Sequence, residues 1–270
     1  MATVSLDGAE LHYQSVGRGA ALLTIGGAGA GVLEFRRMAR RLTSDFQVIS
    51  YDRRGTLEST GRTDRPLDVA QESQDISILL DALGVRRATV FATCGGASVG
   101  FDFVTRYPGY VKAYIVHEPI SIGILSDADE QRAFVAGLRE LHDRQGALAA
   151  YIAWTSSIGL DIKPTFGRRA LARARRDGDF VIRQHIPRMI EFMPDLVAIR
   201  AAGIRTVIGA GEGSMAGDYF YVRVARAMAD ALDCSLVTFP GHHHAYEDRP
   251  DAFACSLAEV IRMTEQKRPA

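Results

Sequence analysis

The sequence lacks the marks of membrane, disulfide-rich and nucleic-acid-binding proteins. No apolar run approaches the ~18 residues that a membrane-spanning helix needs, and the first residues do not form a secretion signal. The three cysteines are too few and too widely spaced for a disulfide framework or a zinc knuckle. The 32 Lys and Arg residues equal the 32 Asp and Glu residues, so no basic excess would attract a nucleic acid. We therefore expect a cytoplasmic protein that binds neither a membrane nor a nucleic acid.

The order of strand and helix patterns predicts an α/β protein. The 270 residues, 47% of them hydrophobic, are enough for one large domain with an insertion. Strands and helices alternate with short loops up to about residue 120 and again from about residue 203, which predicts a mostly parallel sheet covered by helices on both faces. Asp7-Gly8 predicts a hairpin at the start. We expect a core domain of residues 1–120 and 203–270.

The segment 121–202 is almost entirely helical in pattern, and we expect it to form an inserted helical lid. Ser126-Asp-Ala-Asp129 resembles a capping box and predicts the start of its first long helix. Thr165–Arg176 and Phe180–Met193 are predicted as two later helices. Aromatic side chains in this segment suit a hydrophobic or aromatic substrate, although helical spacing also fits a packed core. They are Phe134, Trp154, Phe166, Phe180 and Phe192.

A cysteine lies in a turn of small residues between a predicted strand and a predicted helix. The turn reads Ala92-Thr-Cys94-Gly-Gly96, which is the nucleophile pattern G-x-S-x-G with Ala for the first Gly and Cys for Ser. Small neighbours allow the close backbone approach that such a turn needs, and helix N-termini make nearby thiols more acidic. The pattern therefore predicts that Cys94 is a nucleophile. A small buried cysteine in an ordinary turn is the alternative.

Three adjacent histidines, His242, His243 and His244, follow the last predicted strand. They cannot all face one point, so at most one or two could act as a general base. A solvated loop and an adventitious metal-binding run are the alternatives, but no spaced carboxylate or cysteine partners are in place to organise a zinc site. We expect no metal site.

Two glutamates are candidates for the acid that orients such a base. Glu118 follows a predicted strand, at the edge where open α/β sheets form their sites. Glu212 lies in Gly209-Ala-Gly-Glu-Gly-Ser214, where a catalytic aspartate would be expected three residues after a glycine. Counting from Gly209 leads to Glu212, whereas counting from Gly211 leads to Ser214, so neither count finds an aspartate. We favour Glu118 and keep Glu212 as the alternative acid.

A glycine-rich loop, Gly26-Gly-Ala-Gly29, follows the third strand. The backbone N–H groups of Ala28 and Gly95 would form an oxyanion hole beside Cys94. The loop lacks the Lys-Ser/Thr pair of a phosphate-binding loop, which disfavours a nucleotide site.

Together these motifs resemble the α/β-hydrolase superfamily over nearly the whole chain. The motifs are Ile25-Gly-Gly-Ala-Gly29, Tyr51-Asp-Arg-Arg-Gly55, Ala92-Thr-Cys-Gly-Gly96, His117-Glu-Pro119 and the histidine loop with Pro250 and Phe253. The resemblance implies an eight-stranded sheet, a helical lid, a triad at the C-terminal edge of the strands and no cofactor. It favours His243 as the base, seven residues before Pro250.

The resemblance implies acyl transfer as the chemistry. We expect attack by Cys94 on an ester, lactone or thioester of a hydrophobic small molecule, through an acyl-cysteine intermediate. A non-hydrolytic acyltransferase, cyclase or lyase on the same fold is an alternative, as is a binding protein that has lost catalysis. The sequence is compatible with a homodimer as well as with a monomer.

Overall fold

The computed structural model describes residues 2–159, 168–217 and 219–266. The strands are β1 (Ala2–Leu6), β2 (Ala9–Val16), β3 (Ala20–Ile25), β4 (Phe46–Tyr51), β5 (Ala88–Thr93), β6 (Val111–His117), β7 (Arg205–Gly211) and β8 (Ser235–Phe239). The helices are α1 (Val32–Leu42), α2 (Val69–Ala82), α3 (Gly96–Arg106), α4 (Ala128–Gln145), α5 (Ala147–Ser157), α6 (Arg168–Phe180), α7 (Ile186–Glu191), α8 (Leu196–Ala201), α9 (Glu212–Met215), α10 (Phe220–Leu232), α11 (Ala245–Asp248) and α12 (Pro250–Glu265).

The eight strands form one sheet in the order β1-β2-β4-β3-β5-β6-β7-β8. Strands β3 to β8 pair in parallel, whereas β2 is antiparallel to both of its neighbours, β1 and β4. The predicted hairpin is present, since Leu6 pairs with Ala9 across Asp7-Gly8 and Gly8 has a φ of +67°. The predicted fold class, a mostly parallel eight-stranded sheet flanked by helices, is confirmed.

Burial on both faces explains why the central strands are apolar throughout. Every residue of β5 is buried. Because successive side chains of a strand point to opposite faces, Val90 packs into the core beneath α2, α3 and α10, whereas Phe91 packs into the core beneath α1 and α12. Two separate cores thus hold β5 rigidly, and its C-terminal end carries Cys94.

Helices α4 to α8 all lie in the chain between β6 and β7 and form a helical insertion. The capping box predicted at Ser126 is wrong. Helix α4 begins at Ala128, and its N-cap residue Asp127 makes no side-chain capping bond. The Asp127 carboxylate is instead paired with the guanidinium of Arg223 on α10. A charged partner from another element has replaced the local cap.

A π-helical turn, Val181–His185, joins α6 to α7 within the insertion. Pro187 explains it, because proline has no N–H to donate to the carbonyl four residues earlier, which is that of Arg183. The Arg183 carbonyl accepts a hydrogen bond from the Arg139 side chain instead, at 3.0 Å. The helical piece predicted over Phe180–Met193 is helical as far as Glu191, with this π turn as its first part.

The other predicted helix of this region begins outside the described residues, as does Phe166. The structure describes α6 from Arg168, four residues beyond Pro164. No helix in the described part of the chain combines the length and apolar character needed to cross a membrane.

The loop after β4 is held by ion pairs that leave one arginine facing inward. Asp52 accepts hydrogen bonds from the His12 ring, at 2.7 Å, and from the Val32 N–H at the start of α1, at 2.8 Å. Arg54 forms a two-pronged ion pair with Asp75 of α2, at 2.7 and 2.9 Å. These partners fix the residues on both sides of Arg53, whose side chain is buried beneath the helical insertion.

Candidate active site

The structure places Cys94 in a strained turn between β5 and α3. Its φ is +54°, in the left-handed region that residues other than glycine rarely occupy. Such strain persists only when the surroundings impose it, and it concentrates at functional sites. The Cys94 N–H donates to the His117 carbonyl at 3.0 Å, which anchors the turn to β6. The side chain is buried, with 4% of the residue's surface exposed.

Glycines around the turn allow its close packing against the loop after β3. A methyl group on Gly27 would lie 2.7 Å from the Cys94 Cβ and 3.1 Å from its Sγ, and one on Gly96 would lie 2.4 Å from the Gly26 carbonyl oxygen. These short distances cannot be relieved by moving the end of a flexible side chain, because the atoms concerned are the Cys94 Cβ and a backbone oxygen. Gly27 and Gly96 are thus required by the contact between these two loops.

The predicted base and the favoured acid are in contact. The His243 Nδ1 lies 2.6 Å from the Glu118 Oε2. The other oxygen of Glu118 accepts the Gly211 N–H at 2.8 Å, and the Glu118 N–H donates to the Gly209 carbonyl at 2.9 Å. Since the carboxylate holds Nδ1 as the donor, Nε2 is left to accept a proton. Nε2 makes no well-aligned hydrogen bond within the described residues, but the Cys94 thiol is close enough to interact with it.

The charges of the three groups support one another. Burial lowers the pKa of His243, but the negative charges of Cys94 and Glu118 outweigh burial and raise that pKa to about 10. Burial raises the pKa of Glu118, but His117 and His243 outweigh it and hold that pKa at about 2. The surroundings therefore favour an ionised Glu118 and a cationic His243.

The alternative acid lies elsewhere. Glu212 begins α9, and its carboxylate accepts the Gly241 N–H at 3.3 Å and lies 3.8 Å from Arg249. Its side chain is 61% exposed. The structure brings Glu118, and not Glu212, to His243.

The three adjacent histidines have three different partners. His242 pairs with Asp248 at 2.6 Å on the exposed side of the loop. The His244 Nδ1 is hydrogen-bonded to the Tyr246 hydroxyl at 3.1 Å. Of these three histidines, His243 is the one that contacts Glu118, as the predicted base would. Within the described residues, no group of three or more His, Cys, Asp or Glu side chains could hold a metal ion.

The loop after β3 lies against the turn that carries Cys94. It folds back on itself through a hydrogen bond from the Ala30 N–H to the Gly27 carbonyl, at 3.1 Å. The N–H groups of Ala28 and Gly95 donate no hydrogen bond within the described part of the chain. Two unused donors beside a nucleophile are what an oxyanion hole requires.

Several residues of the site have no local sequence signal. His117 is buried edge-on against Phe239 and Phe253, and burial lowers its pKa to about 4, so it is neutral. Tyr221 of α10 packs its ring against that of His243, with centroids 4.5 Å apart. Only the position of His117, directly before Glu118 at the end of a strand, could have singled it out from the sequence.

The helical insertion contacts the site through α5 and α7. The Tyr151 hydroxyl lies 3.0 Å from where a methyl group on Gly29 would be, and the Met189 sulfur lies 2.3 Å from the equivalent point on Gly95. The Ser98 hydroxyl donates to the Met189 carbonyl at 2.9 Å, which ties α7 to helix α3, the helix that follows Cys94. Of the predicted aromatics, Trp154 and Phe180 are buried, whereas Phe134 is 36% exposed.

The sheet order and the strand-end site define an α/β hydrolase. The model of the alpha/beta hydrolase family matches residues 22–254, and the chain belongs to this family. The "Uncharacterized hydrolase YraK" of Bacillus subtilis (strain 168) is 28% identical over 264 residues, which cover 96% of this chain and 95% of YraK.

Solved structures show the same fold at lower sequence identity. An alpha/beta hydrolase from Sphaerobacter thermophilus DSM 20745 has a TM-score of 0.71 and 23% identity, covering 96% of this chain and 100% of its own. A thermophilic esterase from Thermogutta terrifontis has a TM-score of 0.74 and 20% identity, covering 98% of this chain and 97% of its own.

Proposed function

We propose that this protein is a hydrolase that uses Cys94 as its nucleophile on an ester, lactone or thioester of a small molecule. The observation that carries the proposal is the position of Cys94 in a left-handed turn beside the His243–Glu118 pair. A relative named a hydrolase and a structural neighbour named an esterase support the reaction class. The proposed site lies in the cytoplasm and needs no metal or cofactor.

The reaction follows from the proposed roles. His243 takes the proton of the Cys94 thiol, and the sulfur bonds to the substrate carbonyl carbon. The Ala28 and Gly95 N–H groups donate to the resulting oxyanion. The bond to the leaving group then breaks as His243 returns the proton to it, which leaves an acyl-cysteine. Water attacks this thioester as His243 takes its proton, the S–C bond breaks to release the acid, and His243 returns the proton to the departing sulfur to restore the thiol.

The proposed orienting acid is Glu118. Its contact with the Nδ1 of His243 selects the tautomer whose Nε2 can accept the thiol proton. A buried carboxylate and imidazole are costly to keep unless they stabilise each other. Their retention, together with the unused N–H donors, favours an active enzyme over a binding protein that has lost catalysis.

Acyl transfer to an acceptor other than water is the second candidate. The observation behind it is the depth of the nucleophile, since Cys94 is 4% exposed and α5 and α7 contact the loops beside it. We propose that the insertion, residues 121–202, is a lid over the acyl group of the substrate. Turnover in ¹⁸O-labelled water separates the two cases, because hydrolysis places the label in the acid and transfer does not.

Covalent labelling tests the nucleophile. We expect a thiol-reactive β-lactone probe to acylate the wild-type protein on Cys94, read by mass spectrometry of the peptide that contains it. Cys94→Ala should lose this label, and Cys255→Ala is the matched control because Cys255 is an exposed cysteine far along the chain. Full labelling of the Cys94→Ala protein would refute the proposal.

A further inference from the structure

Arg53 is a charged residue buried close to the proposed nucleophile. It is 1% exposed, and its guanidinium donates to the carbonyl of Gly26 at 3.0 Å. Gly26 adjoins Gly27, which touches Cys94. The guanidinium therefore contacts the same loop that packs against Cys94. No step of the proposed hydrolysis uses it.

The other contacts of Arg53 come from α2 and from the helical insertion. One terminal nitrogen donates to the His185 Nδ1 at 3.2 Å. The other lies 3.8 Å from the Met189 sulfur. The Nε lies 3.5 Å from a carboxylate oxygen of Glu72. A buried cation is stable only when it is paired and hydrogen-bonded, so the quality of these partners matters.

These partners compensate the charge of Arg53 incompletely. Neither the Arg53 Nε nor the facing Glu72 oxygen makes a hydrogen bond within the described residues. Burial raises the pKa of Glu72 to about 7 despite the nearby arginine, so Glu72 is partly neutral near pH 7. Burial and Arg53 keep His185 neutral by holding its pKa well below the usual range. A guanidinium, in contrast, stays charged.

Met189 lies between this cation and the proposed oxyanion hole. Its sulfur approaches Arg53 on one side and Gly95 on the other. A thioether is a weak acceptor, and methionine is flexible enough to repack around a ligand. A substrate oxygen in the same place would be a far better partner for the guanidinium.

We propose that Arg53 binds a carboxylate at the far end of the substrate's acyl group, with the Met189 side chain displaced. The inference rests on the proposed function, because it assigns the acyl chain to the side of Cys94 that faces Arg53. The substrate class is then half-esters or half-thioesters of short dicarboxylic acids. Their carbon chain contacts apolar groups, and their terminal charge meets the buried cation.

Matched substrates test this recognition. Phenyl half-esters of glutaric and adipic acid carry the terminal carboxylate, and the corresponding ω-amides have nearly the same shape without charge. We expect the wild-type kcat/KM to be at least about tenfold higher for the carboxylate of each pair, mainly through KM. In Arg53→Gln, the ratio of kcat/KM for the carboxylate to kcat/KM for the amide should fall close to one. Arg53→Lys should retain part of the preference for the carboxylate. Arg188→Gln, which removes an exposed charge from the same helix as Met189, should keep the wild-type ratio.

Three outcomes would overturn the inference. They are equal wild-type rates on carboxylate and amide, an unchanged ratio in Arg53→Gln, and an equal loss on both substrates, which would mean that Arg53 only supports the Gly26 loop. If Arg53→Gln does not fold, the inference is still tested by the ratio of kcat/KM for carboxylate and amide in the wild type and in Arg53→Lys.

A binding measurement separates this inference from the proposed catalysis. Calorimetric titration of Cys94→Ala with phenyl hydrogen adipate should show tighter binding than with the amide, whether or not the wild-type protein turns either over. Absent turnover and absent acylation of Cys94 would refute the proposed function alone. Equal binding of the two compounds would refute carboxylate recognition alone.

Discussion

Cys94 and Glu118 share an uncommon backbone conformation at the ends of neighbouring strands. Their φ angles are +54° and +50°, and among the described residues only two others besides glycine, Leu57 and Asp233, have positive values. Each such residue costs on the order of 1–3 kcal/mol. The strain turns the thiol and the carboxylate toward His243 from β5 and β6. At the residue scale, the backbone conformation of Cys94 and Glu118, and not their residue types alone, distinguishes them from other cysteines and glutamates of the protein.

Glu118→Gln tests the acid. An amide cannot support a cationic imidazole, so we expect the turnover of an activated ester to fall by on the order of 10²-fold. The pKa of His243, measured by NMR of its ring protons, should fall from about 10, because the negative charge of Glu118 is one of the terms that raises it.

Glu212→Gln is the matched control for Glu118→Gln. It removes a carboxylate that is 61% exposed and pairs with Arg249 rather than with the base. We expect wild-type turnover and an unchanged pKa of His243. Greater loss in Glu212→Gln than in Glu118→Gln would reverse the assignment.

At the scale of the elements, the site forms where two loops meet at the edge of a parallel sheet. The turn after β5 and the loop after β3 approach so closely that only glycine fits at the contacts. The helical insertion reaches the same edge through α7, whose direction is set by the π turn before Pro187. One proline thus influences where Met189 and His185 lie.

Gly96→Ala and Gly137→Ala are expected to have opposite effects. A methyl group on Gly96 meets two backbone oxygens within 2.6 Å, so we expect Gly96→Ala to lower the free energy of unfolding by about 1–3 kcal/mol. Gly137 lies within α4 with nothing within 4 Å of its added methyl group. Gly137→Ala should raise the free energy of unfolding by about 0.5–1 kcal/mol.

Denaturant titration followed by circular dichroism measures both changes. Equal stability of the two variants would contradict the close contact between Gly96 and the loop after β3.

At the scale of the whole molecule, acidic and basic residues are equal in number, but one buried pair of charged side chains is incompletely hydrogen-bonded. Arg53 and Glu72 are both buried between the sheet domain and the helical insertion, and neither is fully hydrogen-bonded by the other. Folding therefore moves a carboxyl group into surroundings that favour its protonated form. The stability of the protein should depend on pH through this group.

Glu72→Gln tests this dependence. The folded pKa of about 7 exceeds the ordinary value of 4.5, so the folded protein binds the extra proton between these pH values. The Glu72 contribution is present below pH 4.5 and is lost as pH rises through 7, a change of roughly 3 kcal/mol. We expect Glu72→Gln, which mimics the protonated form, to gain stability relative to wild type over this range.

Equilibrium unfolding at several pH values provides the measurement. Glu259→Gln, which replaces an exposed carboxylate on α12, should give a curve parallel to wild type. A parallel curve for Glu72→Gln as well would show that Glu72 does not couple folding to pH.

The sequence by itself determined the order of the strands and the position of Cys94. Strand and helix periodicity, the Asp7-Gly8 hairpin and the small-residue turn are local signals, because each arises from residues close together in the chain. The predicted capping box at Ser126 was wrong, since Asp127 is the N-cap residue of α4 and its carboxylate pairs with Arg223 from a distant segment.

Only the tertiary structure decided which carboxylate meets His243 and what surrounds Arg53. Glu118 and His243 are 125 residues apart, and the sequence favoured Glu118 but left Glu212 as an alternative acid. The partners of Arg53 come from α2, the loop after β3 and the helical insertion. Burial and charge pairing depend on which distant segments pack together, and no local pattern of residues encodes that.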